Sequence, residues 1–498
     1  MFRSIKIIIL LLNGLTTVLG QFQGTYDLDS DYSHVRKEPK IRTKNGSKYQ
    51  LDYCQKTFGV SLGGWLVLEP WIVPSLFEEV YEKMGEMPVD EYTYTKLLGK
   101  REAEKALEEH WSSFYTEDDF QDIVDHGINL VRIPIGYWAF GLLADDPYVQ
   151  GQEYYLDQAI EWADKYDLQV QIDIHGMPGS QNGFDNSGKR TDPTWLNGGE
   201  NMDLTYDVMD YFFNKYGGEE YEDIVTSIEV VNEPFAFILD KDDLREFYEY
   251  AYQCARDNSV KANLYFHDGF LPIGSWDRFM NDSSVYPNIT IDHHLYEIFS
   301  EHQIALNIDQ HIKNVEDQGA AMALQPHHRI VGEFSGAFTD CTKYINGVGI
   351  GARYDGTFSN TKPVGSCKNH SDFDSWSEEF KNNTKEFIKA QFETFEKNGD
   401  GWIFWCFKTE DSIEWDFKRL ASLDMLPESF LNRKKCHNLK TTQRLNDTEK
   451  NETTIEKTSD GSSSIDSTIL KFHQSFQLPK IIYIGVISSI LLILAAIP

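Results

Sequence analysis

Eight short apolar runs, each separated from the next by a long polar or helix-patterned stretch, constrain this chain more than any other feature. They fall at residues 59–65, 129–134, 169–175, 227–233, 264–268, 289–294, 329–333 and 401–405. Amphipathic segments such as 154–166 and 243–256 lie between them. Runs alternating with helical patterns are the mark of βαβ units and a parallel sheet, and eight is the number a closed (β/α)8 barrel needs. The fold class is therefore read as α/β: a (β/α)8 TIM barrel with loop insertions forming a pocket, occupying residues 51–437 with no Pro- or Gly-rich linker inside it.

In such a barrel the active site lies at the C-terminal ends of the strands. Almost every run delivers a titratable, amide or indole group there. Glu69 follows the first run, Arg132 lies on the second and His175 ends the third. Asn232 and Glu233 end the fourth, and His293, His294 and Tyr296 close the sixth. Glu333 ends the seventh and Trp405 the eighth. A carboxylate among β-branched apolar residues is costly to bury unless it is paired or used. Two on separate strands are what glycoside hydrolysis requires, one as acid and one as nucleophile.

The chemistry assigns roles. Glu233 is the expected general acid, its pKa raised by burial or by the other carboxylate. Glu333 is the expected nucleophile, oriented by Arg132 and the Tyr296 hydroxyl. Asn232 is placed on the sugar 2-hydroxyl, whose hydrogen bond strengthens in the transition state. His175 and His294 bond ring hydroxyls or hold Glu233, and Trp405 stacks under the sugar. No cofactor is called for.

The net charge of −33 leaves no basic face for phosphates and argues against nucleic acid. An aromatic share of 14% suits a ring-stacking ligand. Both ends read as addresses. Residues 1–20, with Arg3, Lys6 and an apolar run at 7–12, resemble a secretory signal. Residues 21–50 form a polar arm and 438–462 a polar stalk. Residues 463–498 end in an apolar tail without a basic flank, which reads as a GPI-attachment signal with the site near Gly461 or Ser462. The alternative is an ordinary C-terminal membrane span. The expected destination is the cell surface, as a monomer held in plasma membrane or wall by a lipid anchor only. Sequons at Asn45, Asn281, Asn288, Asn369, Asn382, Asn446 and Asn451 agree with secretion. The six cysteines allow 15 connectivities, with Cys254 and Cys406 equally compatible with buried thiols.

Asn232-Glu233-Pro234, Arg132, His175, His294, Tyr296, Glu333 and Trp405 together resemble the clan of retaining glycoside hydrolases that includes family 5. Longer stretches, such as Gly63-Gly64-Trp65-Leu66-Val67-Leu68-Glu69-Pro70, residues 175–187, residues 332–341 and Asn346-Gly347-Val348-Gly349, are similar to the fungal secreted exo-β-1,3-glucanases over about residues 57–408. The resemblance implies a retaining enzyme that releases glucose from the non-reducing end of a β-1,3-glucan. It implies a terminal-glucose subsite containing Glu69, Asn186 and Asn346, and stacking platforms at the mouth from Trp71, Phe184 and Phe299. Glu297 departs from the family's usual Gln, and Trp71 from its frequent Tyr. The resemblance does not assign the bridges; Cys341 with Cys367 is the pair expected. The charged stretch from Glu78 to Lys105 reads as a solvated face without function.

Three rivals remain in view. An endo-β-glucanase or β-1,6-glucanase of the same clan shares the catalytic residues and differs in its loops. A non-catalytic wall-binding barrel predicts loss of a glutamate. A metallohydrolase needs a His-X-His on the first strand, and residues 59–65 contain no histidine.

Overall fold

A computed structural model describes residues 56–427 and Phe430. The proposed signal, arm, stalk and GPI tail lie outside the described residues, as do Cys54 and Cys436. Eight parallel strands close into a barrel in chain order. They are β1 (Thr57–Ser61), β2 (Leu130–Gly136), β3 (Gln169–Gly176), β4 (Val225–Glu229), β5 (Asn263–His267), β6 (Ile289–His294), β7 (His328–Glu333) and β8 (Gly401–Phe404). β1 closes the ring by pairing with both β2 and β8.

The expected runs fall on these strands, with two ends corrected. The first run leaves the sheet at Ser61, because Gly64 turns with φ 70°, where a Cβ would sit 2.5 Å from Ile72. The fourth ends its regular ladder at Glu229, four residues before Glu233. Residues 230–232 still hydrogen-bond to both neighbours, Val230 N–H to Tyr265 O and Asn232 N–H to Ile174 O.

The helices do not follow a one-per-strand rule. Four stand between β1 and β2: α1 (Pro74–Met84), α2 (Glu91–Leu98), α3 (Lys100–Ser113) and α4 (Glu117–Asp125). The charged 78–105 stretch is thus not merely a solvated face; it buries Val80, Tyr94 and Ala103. Between β5 and β6 the described residues form turns but no α-helix. The remaining long helices are α5 (Gln152–Lys165), α6 (Glu200–Tyr216), α7 (Lys241–Asp257), α8 (Ile308–Met322) and α9 (Glu378–Asn398).

Strand side chains alternate between the two faces of a sheet, and here the alternation separates two cores. Outward positions such as Val131, Ile133, Ile172, Ile174 and Ile291 pack on the helices. Inward positions begin with an apolar plug of Leu130, Tyr265, Ile330 and Ile403. Above it the same faces carry Arg132, Gln171, Asp173, Glu229 and Asp292, all fully buried. Gly332 makes room for one of them: a Cβ there would lie 2.1 Å from the Asp292 carboxylate, whose Oδ1 instead accepts the Gly332 N–H at 2.7 Å.

Cys341 and Cys367 are bonded, as expected. Cys254 is a half-buried thiol and Cys406 a buried one. Of the seven sequons, those at Asn281, Asn288, Asn369 and Asn382 fall within the described residues, and all four asparagines are exposed.

Candidate active site

Arg132 organises the top of the barrel. Its Nη1 donates to Glu333 Oε1 at 2.7 Å, its Nη2 to Glu229 Oε2 at 2.7 Å and to Asn232 Oδ1 at 2.8 Å, and its Nε to Glu229 Oε2 at 3.0 Å. Asp173 Oδ2 lies 3.1 Å from the same Nη2. A buried guanidinium is tolerated only with such a set of partners. Burial alone would lower its pKa, but Asp173, Glu229, Glu333 and Asp292 drive it well above the usual value, so the cation is permanent.

Glu333 and Glu233 face each other across His294. Glu333 Oε2 accepts the Tyr296 hydroxyl at 2.8 Å. Glu233 Oε1 pairs with His294 Nδ1 at 2.8 Å, and its Oε2 accepts Asn186 Nδ2 at 2.7 Å. His294 Nδ1 is also 3.4 Å from Glu333 Oε2. By the triangle inequality the facing oxygens are at most about 6 Å apart, below the ~6.5–9.5 Å of inverting enzymes.

Glu233 adopts φ 47°, a left-handed conformation that costs a non-glycine residue about 1–2 kcal/mol. Neighbours hold it there. Gln181 Nε2 donates to both His175 O and Asn232 O at 2.8 Å, tying the tops of β3 and β4, and Phe235 N–H bonds Gln181 O.

The protonation pattern reverses one expectation. Burial, opposed by the His294 and Arg132 charges and reinforced by Glu233, leaves the Glu333 pKa above the ordinary carboxylate value. Burial also raises Glu233, but the hydrogen bond and charge of His294, with His175 and Asn186, outweigh it and leave the pKa lowered. The cause is His294 itself. Burial disfavours its charge, yet Glu333, Asp292 and Glu233 hold its pKa well above the ordinary value. These directions favour His294 as the protonated member of the His294–Glu233 pair, 2.8 Å from Nδ1 to Oε1.

The other expected residues divide into those that join this centre and those that do not. His175 stacks on Trp405, ring planes 4° apart, and pairs Nδ1 with Asp173 at 2.6 Å. Its Nε2 has no partner and points toward Glu69 Oε1, 4.0 Å away. Arg132 lies over the Trp405 ring at 5.5 Å. Asn232 Nδ2 and Glu69 Oε1 are also buried without partners, an array of open donors and acceptors suited to hydroxyls. Trp71 is not an exposed platform. It is 5% exposed, packs on Trp415 and donates to Glu69 Oε2 at 2.8 Å, because Glu69 draws its indole inward. Phe299 remains 39% exposed beside Tyr296, and Phe184 is half-buried against Phe235 and Phe270. Asn346 bonds within its own loop, to Asp340, Gly351 and Arg353. Glu297 accepts from Asn314 and Gln318, fastening the end of β6 to α8.

Reading only the ends of the runs missed the buried ring beneath, formed by Asp173, Glu229 and Asp292. The signal was present: Asp173 and Asp292 stand two residues before His175 and His294, on the same strand face. Missed too was His267, fully buried and 4.3 Å ring to ring from His294. Glu233, His267 and His294, or Glu229, Asp292 and His294, bring potential metal ligands within 4.8 Å of one another. Both groups share His294, whose Nδ1 already pairs with Glu233 Oε1 at 2.8 Å.

Comparison with known proteins agrees with this geometry. The family model described as cellulase, glycosyl hydrolase family 5, matches residues 98–411. The chain is 48% identical over 393 residues to glucan 1,3-beta-glucosidase 2 of Wickerhamomyces anomalus, covering 77% of this chain and 90% of that protein. It is 46% identical over 404 residues to a glucan 1,3-beta-glucosidase of Pichia angusta, covering 80% and 91%. Among solved structures, rutinosidase from Aspergillus niger superposes with a TM-score of 0.57 at 19% identity, over 76% of this chain and 98% of that one, a likeness of fold. This chain belongs to glycosyl hydrolase family 5.

Proposed function

We propose that this protein is a retaining exo-acting glucan 1,3-β-glucosidase, releasing glucose from the non-reducing end of β-1,3-glucan. The observation that carries the reaction type is one histidine, His294, whose Nδ1 lies 2.8 Å and 3.4 Å from oxygens of two buried carboxylates, Glu233 and Glu333. The linkage and the exo mode rest on the kinship with fungal glucan 1,3-beta-glucosidases.

In the first step Glu333 attacks the anomeric carbon while the glycosidic C–O bond breaks. The leaving oxygen takes the proton of the His294–Glu233 pair. Arg132 and Tyr296 orient the nucleophile through one oxygen each. In the second step Glu233 draws a proton from water, whose oxygen attacks the same carbon and returns Glu333 as carboxylate. Asn232 Nδ2 supplies a donor and His175 Nε2 a hydrogen-bonding partner for the sugar hydroxyls, and Trp405 supplies the stacking face. The same reading takes the enzyme to the cell surface through its signal and lipid anchor, acting on wall glucan as a monomer.

Product analysis on reduced laminarin and on a β-1,6-glucan, with anomeric NMR, tests the proposal. The expected result is glucose from the first time point, with retained β configuration, from the β-1,3 polymer. Early oligosaccharides would mean endo action, preference for the second polymer a β-1,6-glucanase, and no product a wall-binding barrel. Each refutes the proposal.

A further inference from the structure

Two consecutive acids at the start of α2, Asp90 and Glu91, are each only 1% exposed. Buried carboxylates need a use, and helix capping explains one oxygen of the four. Asp90 Oδ1 accepts the Thr93 N–H at 2.7 Å, the ordinary N-cap bond. The other oxygens reach away from the helix. Asp90 Oδ2 accepts the Arg190 N–H at 2.6 Å. Glu91 Oε2 accepts the Leu68 N–H at 2.9 Å, next to Glu69, and Oε1 accepts the Trp138 indole at 2.9 Å. Between them, Tyr92 N–H bonds Gly188 O at 2.9 Å, and Lys189 Nζ lies 4.1 Å over the Tyr92 ring.

The contacts continue around the rim. Arg190 Nη1 donates to Val348 O at 3.3 Å, joining the loop after β3 to the loop after β7. From α1, Glu78 accepts the Tyr344 hydroxyl at 3.2 Å, and the Ser75 N–H bonds Glu410 Oε2 at 2.8 Å in the loop after β8. The α1–α2 insertion thus holds four loops: those bearing Glu69, Asn186 and Asn346, and the one that follows Trp405.

We propose that this insertion is a brace that closes the blind end of the pocket, with Asp90, Glu91 and Arg190 as positioning residues that set exo-specificity. They touch no reacting atom. They act through the Glu69 and Asn186 loops, whose separation decides whether a glucan chain stops at one glucose or threads past it. The inference rests on the exo reading above.

The test compares Glu91→Gln, Arg190→Ala and Arg190→Lys. Gln can satisfy only one of the two donors that Glu91 serves. Arg190 is exposed, so its truncation is compatible with folding, and Lys keeps a charged donor at that position. Expected for Glu91→Gln and Arg190→Ala is laminaribiose among the first products and a KM for laminari-oligosaccharides raised about tenfold, with kcat on 4-nitrophenyl β-glucoside within about threefold. Arg190→Lys should restore glucose as the sole first product. If Glu91→Gln does not fold, the Arg190 pair decides. Glucose alone with unchanged KM from the folded variants would overturn the brace and leave the exo reading standing. Oligosaccharides from the unaltered enzyme would overturn the exo reading itself.

Discussion

Replacing His294 with Gln removes a cation between the two glutamates while keeping a donor for Glu233. His294 Nδ1 stands 3.4 Å from Glu333 Oε2. With an effective dielectric of about 20, unit charges at that distance interact by about 5 kcal/mol, equivalent to at most about 3–4 pKa units. Arg132, 2.7 Å from the other oxygen, still stabilises the carboxylate, so the Glu333 pKa is expected to rise by less than that bound. The sign follows from the reaction: the nucleophile works ionised, so activity is lost as pH falls through its pKa. Raising that pKa moves the acid limb to higher pH. The assay is kcat/KM against pH with 2,4-dinitrophenyl β-glucoside, whose leaving group needs no protonation, so the acid limb reports Glu333 in the free enzyme. With natural glucan the basic limb should move as well, since Glu233 then holds its proton without the histidine. An acid limb within about 0.3 units of the unaltered enzyme would refute the charged bridge.

Glu333→Gln should reduce hydrolysis by about 10⁴-fold or more in a protein that still folds, since Arg132 keeps Glu229 and Asp173 as charged partners. Glu233→Ala should slow natural glucan by about 10²–10⁴-fold but dinitrophenyl glucoside far less; equal losses would show that Glu233 is not the acid. Breaking the Cys341–Cys367 bridge, with 26 residues of sequence separation, should lower stability by about 3.5 kcal/mol on the chain-entropy account, measured by denaturant unfolding of the Cys341→Ala, Cys367→Ala protein.

The barrel and both glutamates were legible in the sequence because strand periodicity is local. A run of β-branched residues with a polar group at its end carries its meaning within a few residues, as at residues 289–294 or 328–333. Irregular backbone was not legible. Nothing near Glu233 announces that the ladder ends at Glu229, since its φ of 47° is imposed by Gln181, some 50 residues earlier in the chain. Trp71 read as a rim aromatic because its indole partner, Glu69, was assigned to a sugar. The 78–105 stretch read as solvated because the two buried acids at the start of α2 are satisfied by backbone of distant loops.

By itself, then, the sequence determined the strand order, the parallel closed sheet, and which side chains stand at the strand tops. Tertiary structure alone decided their protonation and orientation. Arg132 meets Glu333 across 201 residues and His294 meets Glu233 across 61, and each encounter exists only once the barrel has closed. Charges removed from water interact strongly over a few ångströms, so the placing of one histidine between two carboxylates shifts the pKa of all three groups.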